Sequence, residues 1–332
     1  RFRVSGAFSF ATGLLEPMRL VMEQYFFIYG GLGLQRYMVS DKSRTDAFAA
    51  AIKEVVKDGD QVIDVGTGTG LLAILAAKAG AEKVYGLDNS DIAEIAEKLV
   101  DANDLTGVVD IVRCNAGAFD LEKTTDVIVS EWLGHMAFAE AMLDDLLVAR
   151  DANLKPGGVM IPSEVDVLLA PIACPELYDG QGPGFWREPV HGIDYSILEE
   201  MEQNQEISSQ IQVPGESKLA EGQPMVSLDL ATASPEDPWR RGDLEFKMER
   251  TARFDGFVGW FSIQLSPSVR LDTGPDAPLT HWRQIHFPFK PFDVEEGQSL
   301  KVTYELNRDE YDPRAITLGL TVNDVYYCYR IG

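Results

Sequence analysis

The sequence predicts an α/β fold: a doubly wound parallel sheet, followed by an antiparallel β-barrel domain with an inserted arm. Three observations carry this. Between residues 41 and 161, runs with helical and strand periodicity alternate at the rhythm of a parallel sheet. After Pro162 helical periodicity fades and strand alternation replaces it, as in Leu300, Val302, Tyr304 and Leu306, and again in Ile316, Leu318, Leu320 and Val322. The apolar run V-I-D-V at 62–65 opens into G-T-G-T-G at 66–70 and then into a helix. Glycines there let the backbone take positive φ and approach a ligand, and the helix N-terminus offers N–H groups to it.

In chain order, 41–57 carries Phe48, Ile52, Val55 and Val56 at helical spacing. A strand at 62–65 follows, then a helix over 71–79 stopped by Gly80. The strand V-Y-G-L-D at 84–88 leads to Ser90, a plausible N-cap for a helix with Ile92, Ile95, Ala96 and Leu99 on one face. Strands at 109–113 and 126–130 come next, then a helix around 139–152, a K-P-G-G turn at 155–158 and the run 159–161. In the second half, P-G-E at 214–216 and S-P-E-D-P at 234–238 separate strands. Residues 175–205 are Gly- and Pro-rich and then acidic and helical, so they read as an insertion between barrel strands.

The glycine spacing selects the ligand class. A dinucleotide fingerprint needs Gly-x-Gly-x-x-Gly, but the third position here is Leu71. The pattern is Gly66-x-Gly68-x-Gly70, with Asp64 in the strand end and Asp88 closing the next strand, where an acid takes two ribose hydroxyls. This set resembles class I S-adenosylmethionine (SAM) methyltransferases.

Net charge is −24, from 53 acidic and 29 basic residues, so a cationic substrate is favoured and non-specific nucleic-acid binding is not. Solubility alone also explains such acidity. Cys114, Cys174 and Cys328 lie far apart, which suits neither a disulfide framework nor a metal cluster and predicts a reducing, cytoplasmic setting (or a nuclear one in a eukaryote). No apolar run is long enough to predict a transmembrane helix. The chain starts at Arg1 rather than Met, so a preceding stretch is expected.

Glu131 and Glu140 flank a short loop at the carboxyl end of the strand at 126–130, where open α/β sheets place ligands. Two carboxylates suit acid/base work or a cation; two solvated glutamates are the commoner outcome. At this point the chain resembles the protein arginine methyltransferases along nearly all its length. The carrying motifs are Y-F-F-I-Y-G-G-L-G-L-Q-R-Y-M-V-S-D-K-S-R-T at 25–45, V-I-D-V-G-T-G-T-G at 62–70, S-E-W-L-G-H-M-A-F-A-E-A-M at 130–142, L-K-P-G-G-V-M-I-P-S at 154–163 and L-T-H-W-R-Q at 279–284.

The resemblance implies cofactor-covering helices over 1–48, a SAM-binding Rossmann-like domain over 49–162 and a β-barrel substrate domain over 163–332. G-F-W-R-E-P-V-H-G-I-D-Y at 184–195 would belong to a dimerisation arm, making a homodimer. It further implies that Glu131 and Glu140 clamp the substrate guanidinium and that Arg44 binds the cofactor carboxylate. Asp88 and Asn89 would serve the ribose side of the cofactor; Asp64, Gly66, Thr67 and Gly68 would form its loop. Tyr25, Phe26, Gln35 and Met38 would cover it. Tyr29, Trp132, Met142, His281 and Trp282 would face the substrate arginine, and His281 would pair with Asp41. Methionines at 38 and 142 are associated in this family with asymmetric dimethylation. The plainer uses are a barrel histidine satisfied by a backbone carbonyl and methionines that fill core.

A guanidinium is a poor nucleophile at neutral pH, and its planar fork matches carboxylates bidentately. Paired glutamates would fix its plane and draw positive charge to the bonded nitrogens, leaving the remaining one to attack a methyl group in line. Three departures from the family stand out: Gln35 for His, His135 for Tyr, and Gly117 where an acid usually meets the adenine amine. The expected activity is therefore SAM-dependent methylation of arginine in proteins or peptides, giving mono- and asymmetric dimethylarginine. The alternatives are a small guanidino or amine acceptor, or a SAM-binding dimeric scaffold without turnover.

Overall fold

The computed structural model describes residues 2–4, 31–203 and 210–332 of the chain. A short strand β1 (Phe2–Val4) precedes two helices, α1 (Leu32–Ser40) and α2 (Lys42–Val55). Then come β2 (Gln61–Val65), α3 (Leu71–Lys78), β3 (Lys83–Asp88), α4 (Ala93–Ala102), β4 (Val109–Arg113), β5 (Phe119–Leu121), β6 (Thr125–Ser130), α5 (Leu143–Asn153) and β7 (Leu154–Ile161). The sheet runs β4-β3-β2-β6-β7, with every pair parallel, while β1 lies antiparallel on β5. Val62, Ile63, Val84, Ile128 and Val129 have no exposed surface. Strands covered on both faces read as unbroken apolar runs, which is why these do. Strand order reverses about β2, which has β3 on one side and β6 on the other. The loops leaving β2 and β6 diverge there and open a crevice.

The second body is antiparallel throughout. One sheet runs β10 (Gln223–Asp229), β8 (Glu164–Ile172), β12 (Ala252–Gln264), β14 (Gln284–Val294), β9 (Gln210–Ile211), with β13 (Arg270–Asp272) on β12. The other runs β11 (Arg240–Lys247), β15 (Ser299–Arg308), β16 (Ile316–Val322), β17 (Val325–Ile331). Their inner faces meet in rings, with Phe246 6.3 Å from Phe257, Phe289 4.6 Å from Tyr327 and Phe287 5.2 Å from Tyr329. The strands wrap this aromatic core in a barrel-like body whose hydrogen-bonded ladders form two sheets. One apolar core is continuous through both bodies. The arm leaves β8 as α6 (Pro175–Gln181), a 3₁₀ turn (Pro183–Arg187) and α7 (Ile197–Gln203).

Local expectations shift in three places. Ser90 does not cap α4; its hydroxyl donates to Asp88 at 2.7 Å, and the buried face is Ile92, Ala93, Ala96 and Val100 while Leu99 is exposed. K-P-G-G falls within the bounds of β7 but as an outward loop: the pairing with β6 jumps from Thr125–Leu154 to Val127–Val159, and Gly157 takes a φ of +75°. The helix expected from 139 begins at Leu143, because Glu140 and Ala141 take φ of +81° and +56°.

Candidate active site

The glycine loop is held from beneath by a carboxyl group without solvent contact. Asp64 Oδ2 accepts from Thr67 Oγ1 at 2.6 Å and from Ala73 N at 2.9 Å, so it ties the loop to the first turn of α3. Burial raises its pKa to about 7, with the nearby charges of Asp88 and Glu131 adding to the effect. Through these bonds the side chains of Asp64 and Thr67 shape the loop. Gly66, Gly68 and Gly70 have φ of +72°, +54° and +82°, which side-chain-bearing residues rarely adopt. Asp88 completes the cradle: Oδ2 accepts from Gly68 N at 2.9 Å and Oδ1 from Ser90 N at 2.8 Å. Its carboxylate is half-buried at the strand end and Oδ2 keeps a further acceptor position, which suits ribose hydroxyls.

Two side chains from other elements close on the same glycines. A Cβ on Gly66 would lie 2.9 Å from Met142 Cε, and one on Gly68 would lie 3.2 Å from Gln35 Oε1. The structure thus brings Gln35 of α1, Met142 and the glycine loop together. A nucleoside-containing cofactor fits this cradle, because it offers close backbone approach and a ribose-binding acid.

The loop after β6 is a tight, strained hairpin. Gly134 and Ala137 exchange backbone hydrogen bonds of 3.1 Å, and Met136, Ala137, Glu140 and Ala141 all have positive φ. Non-glycine residues in this region cost roughly 1 kcal/mol or more each, so tertiary contacts must enforce them. Three do so. Glu140 N donates to Arg314 O at 2.7 Å, and Arg314 returns a bond from its guanidinium to Glu140 O at 3.2 Å. Trp282 Nε1 donates to Leu133 O at 2.7 Å. Trp132 stacks on Phe138, which in turn meets Trp239 edge-on. A Cβ at Gly134 would meet Ala139 O at 2.2 Å and Glu140 Cγ at 3.0 Å, so the Glu140 side chain leaves the backbone packed against Gly134.

Glu131 already faces a guanidinium. Its Oε2 lies 3.2 Å from Nη1 of the buried Arg44, and its Oε1 accepts from Leu133 N at 3.2 Å. Arg44 is set by Asp41, whose side chain caps α2 by accepting from Arg44 N at 3.1 Å. Asp41 Oδ2 also accepts from the His281 backbone N–H at 2.8 Å and lies 2.8 Å from His281 Nδ1. Burial opposes charge on Asp41, but the His281 and Arg44 hydrogen bonds outweigh it and hold the carboxyl below the ordinary aspartate range. His135 lies nearby; burial, then the neighbouring His281, depress its imidazole pKa.

The other expected residues divide by position. Trp132 and Trp282 are 1% and 4% exposed, which corrects their placement: both are packed under the hairpin as supports and do not line an open face. Asn89 is exposed beside Asp88, and Met38 is half-buried on α1. Tyr25, Phe26 and Tyr29 lie outside the described residues. Sequence reading missed Arg314, whose partner Glu140 lies far away in the chain, and no local pattern marks it.

Known proteins match both bodies of the chain. A family model described as the arginine methyltransferase oligomerization subdomain matches residues 168–323, and one for ribosomal protein L11 methyltransferase matches 43–165. Protein arginine N-methyltransferase PRMT10 of Arabidopsis thaliana is 33% identical, covering 90% of this chain and 86% of its own length. The chain belongs to the protein arginine N-methyltransferase family. A probable protein arginine N-methyltransferase 6.1 of Oryza sativa subsp. japonica is 32% identical over 89% of this methyltransferase and 84% of its own chain. Among solved structures, the Trypanosoma brucei PRMT1 enzyme–prozyme heterotetrameric complex with AdoHcy superposes with a TM-score of 0.85 at 26% identity, covering 92% of this chain and 99% of that one. Arabidopsis thaliana protein arginine methyltransferase 10 gives 0.81 at 29% identity, covering 93% and 100%. This methyltransferase is accordingly a SAM-dependent enzyme acting on arginine.

Proposed function

We propose that the enzyme methylates arginine in proteins or peptides to mono- and then asymmetric dimethylarginine, with Glu131 and Glu140 as the guanidinium clamp. The observation that supports this reading is the strained hairpin: it carries both glutamates, with Glu131 3.2 Å from the guanidinium of Arg44 and Glu140 Cγ packed beside Gly134. SAM supplies the electrophilic methyl group; the AdoHcy of the Trypanosoma brucei complex is its demethylated product. Asp88 would hold the ribose, and the amide-lined loop at 66–70 would lie against the cofactor. Arg44 would divide its charge between Glu131 and the cofactor carboxylate, so that Glu131 is set before substrate arrives. The two carboxylates then fix the plane of the substrate guanidinium and polarise it, leaving one nitrogen toward the methyl group.

Asp41 and His281 serve this arrangement as positioning residues. Both the backbone N–H and Nδ1 of His281 are spent on Asp41, which caps the helix bearing Arg44. The pair ties α2 to the loop before β14 and thereby sets Arg44 against Glu131. Asymmetric product is supported by Met142, whose methyl lies against Gly66 and fills space on the transfer side. A homodimer is supported by the oligomerization-subdomain match and by the exposed apolar residues of the arm; sedimentation of the intact chain at twice its protomer mass is the expected observation.

The test is transfer of labelled methyl from SAM to arginine-rich peptides, with mass spectrometry of the products. Glu131→Gln keeps the shape but loses the charge that grips a guanidinium, so transfer is expected to fall about a hundredfold or more. Unchanged transfer by that variant overturns the clamp, and symmetric dimethylarginine overturns the product assignment.

A further inference from the structure

We infer that Asp145, on the first turn of α5, accepts the hydrogen bond from the exocyclic amine of the cofactor's adenine. The inference rests on the assignment of SAM as cofactor. The strand order places the site. Asp88 ends β3, the methyl-transfer residues leave β2 and β6, and β4 is the neighbour of β3 on the opposite side. A nucleoside with its ribose on Asp88 and its sulfur end toward Glu131 therefore extends its base over the segment leaving β4, residues 114–118. That segment is stitched to β3 by Cys114 N donating to Asp88 O at 3.0 Å.

Gly117 contributes no side chain there, and its N–H is spent on Asn115 Oδ1 at 2.8 Å. The space a side chain would enter is already taken. A Cβ on Gly117 would lie 3.2 Å from Asp145 Oδ1 and 3.4 Å from Val148 Cγ1. The carboxylate of α5 thus stands where a side chain from 117 would project, beside an apolar edge suited to a ring. Asn115 Nδ2 fixes it by donating to Asp145 Oδ2 at 3.0 Å, and Oδ1 has no hydrogen-bond partner among the described residues. Although Asp145 as a residue is exposed, desolvation of its carboxyl group, helped by the Asp144 charge, raises its pKa above the ordinary aspartate value. An acceptor oriented by one bond and open at its other oxygen is what an aromatic amine requires. The acid of this subsite has moved from the β4 loop to the helix that covers it.

Calorimetric titration of the full chain with S-adenosylhomocysteine, and with the analogue whose purine lacks the 6-amino group, tests this. The unmodified protein should bind S-adenosylhomocysteine at least about tenfold more tightly than the analogue. Asp145→Ala should weaken the first by about tenfold, leave the second unchanged and so abolish the preference. Gly117→Glu alone sets two carboxylates against each other and should weaken binding, while Gly117→Glu combined with Asp145→Ala should restore both affinity and preference. Should Asp145→Ala fail to fold, the pair of Gly117→Glu variants decides. Retention of the amine preference by Asp145→Ala, equal weakening of both ligands, or failure of the double variant to restore preference overturns the inference. Absence of any S-adenosylhomocysteine binding by the unmodified protein would instead overturn the cofactor assignment itself.

Discussion

Asp64 shows how much a single buried carboxyl group can govern. It has no exposed surface, uses Oδ2 to hold Thr67 and Ala73, and leaves Oδ1 without a partner. Burial is the main reason its pKa rises from an ordinary 3.8 to about 7. The unfolded chain releases this proton above about pH 4, whereas the folded chain keeps it until about pH 7. The contribution of Asp64 to stability is thus fully present below about pH 4 and is lost as pH rises toward 7, beyond which it stays constant. Asp64→Asn keeps an oxygen for Thr67 and Ala73 and removes the titration. In urea denaturation the variant should gain on the unmodified protein by on the order of 2 kcal/mol more at pH 8 than at pH 5. A difference independent of pH would show that Asp64 titrates normally. Asp64 and Asp88 were legible in the sequence because their partners lie within a few positions or one strand away. Arg314 and Asp145 were not, since each acts on a residue brought near only by folding, Glu140 and Gly117.

At the scale of the element, the hairpin at 131–142 is where local preference and tertiary structure disagree. A-F-A-E-A-M favours helix, which is why a helix was expected from 139. Instead Met136, Ala137, Glu140 and Ala141 sit at positive φ, and the helix starts at Leu143. The bond from Glu140 N to Arg314 O and the pillar of Trp282 under Leu133 outweigh the helical preference. Strain retained at Glu140 and its neighbours points to function, since an ordinary connection would relax. K-P-G-G behaves differently: its turn character survives as a loop thrown out of β7, between the pairs Thr125–Leu154 and Val127–Val159. Gly134 is the closest approach within the hairpin, 2.2 Å from a Cβ to Ala139 O. Gly134→Ala must therefore push the two limbs apart and misplace Glu140 relative to Glu131. Methyl transfer should fall about a hundredfold, while S-adenosylhomocysteine affinity changes by no more than a few-fold, because the bonds of Asp64 and Asp88 that shape the glycine loop are unchanged. Equal losses in both measurements would show that the hairpin serves cofactor binding rather than substrate alignment.

At the scale of the whole molecule, the division into a parallel sheet and an antiparallel body was readable because the hydrophobic period changes after Pro162. How the antiparallel strands pair was not, since register depends on contacts such as Phe289 against Tyr327 between distant strands. The arm stands out from both bodies in how it presents apolar surface. Its own fold is locked: Trp186 Nε1 donates to Glu202, Arg187 pairs with Glu199, and Gln203 bridges Tyr178 and Tyr327 of β17. Yet Ile193, Ile197 and Met201 remain 55%, 76% and 57% exposed, and Phe185 46%. A rigid segment that spends its polar groups inward and turns large apolar side chains outward is built for a protein partner. In a two-fold pair each arm would lie on its partner's surface, so every apolar residue removed from water counts twice. Ile193→Asp with Ile197→Asp should therefore convert the proposed dimer to monomer in sedimentation equilibrium. Because both residues are solvent-facing within the protomer, circular dichroism and the monomer's urea midpoint should remain close to those of the unmodified chain. Should the double variant still sediment as a dimer, the interface lies on another surface and the arm has a different partner.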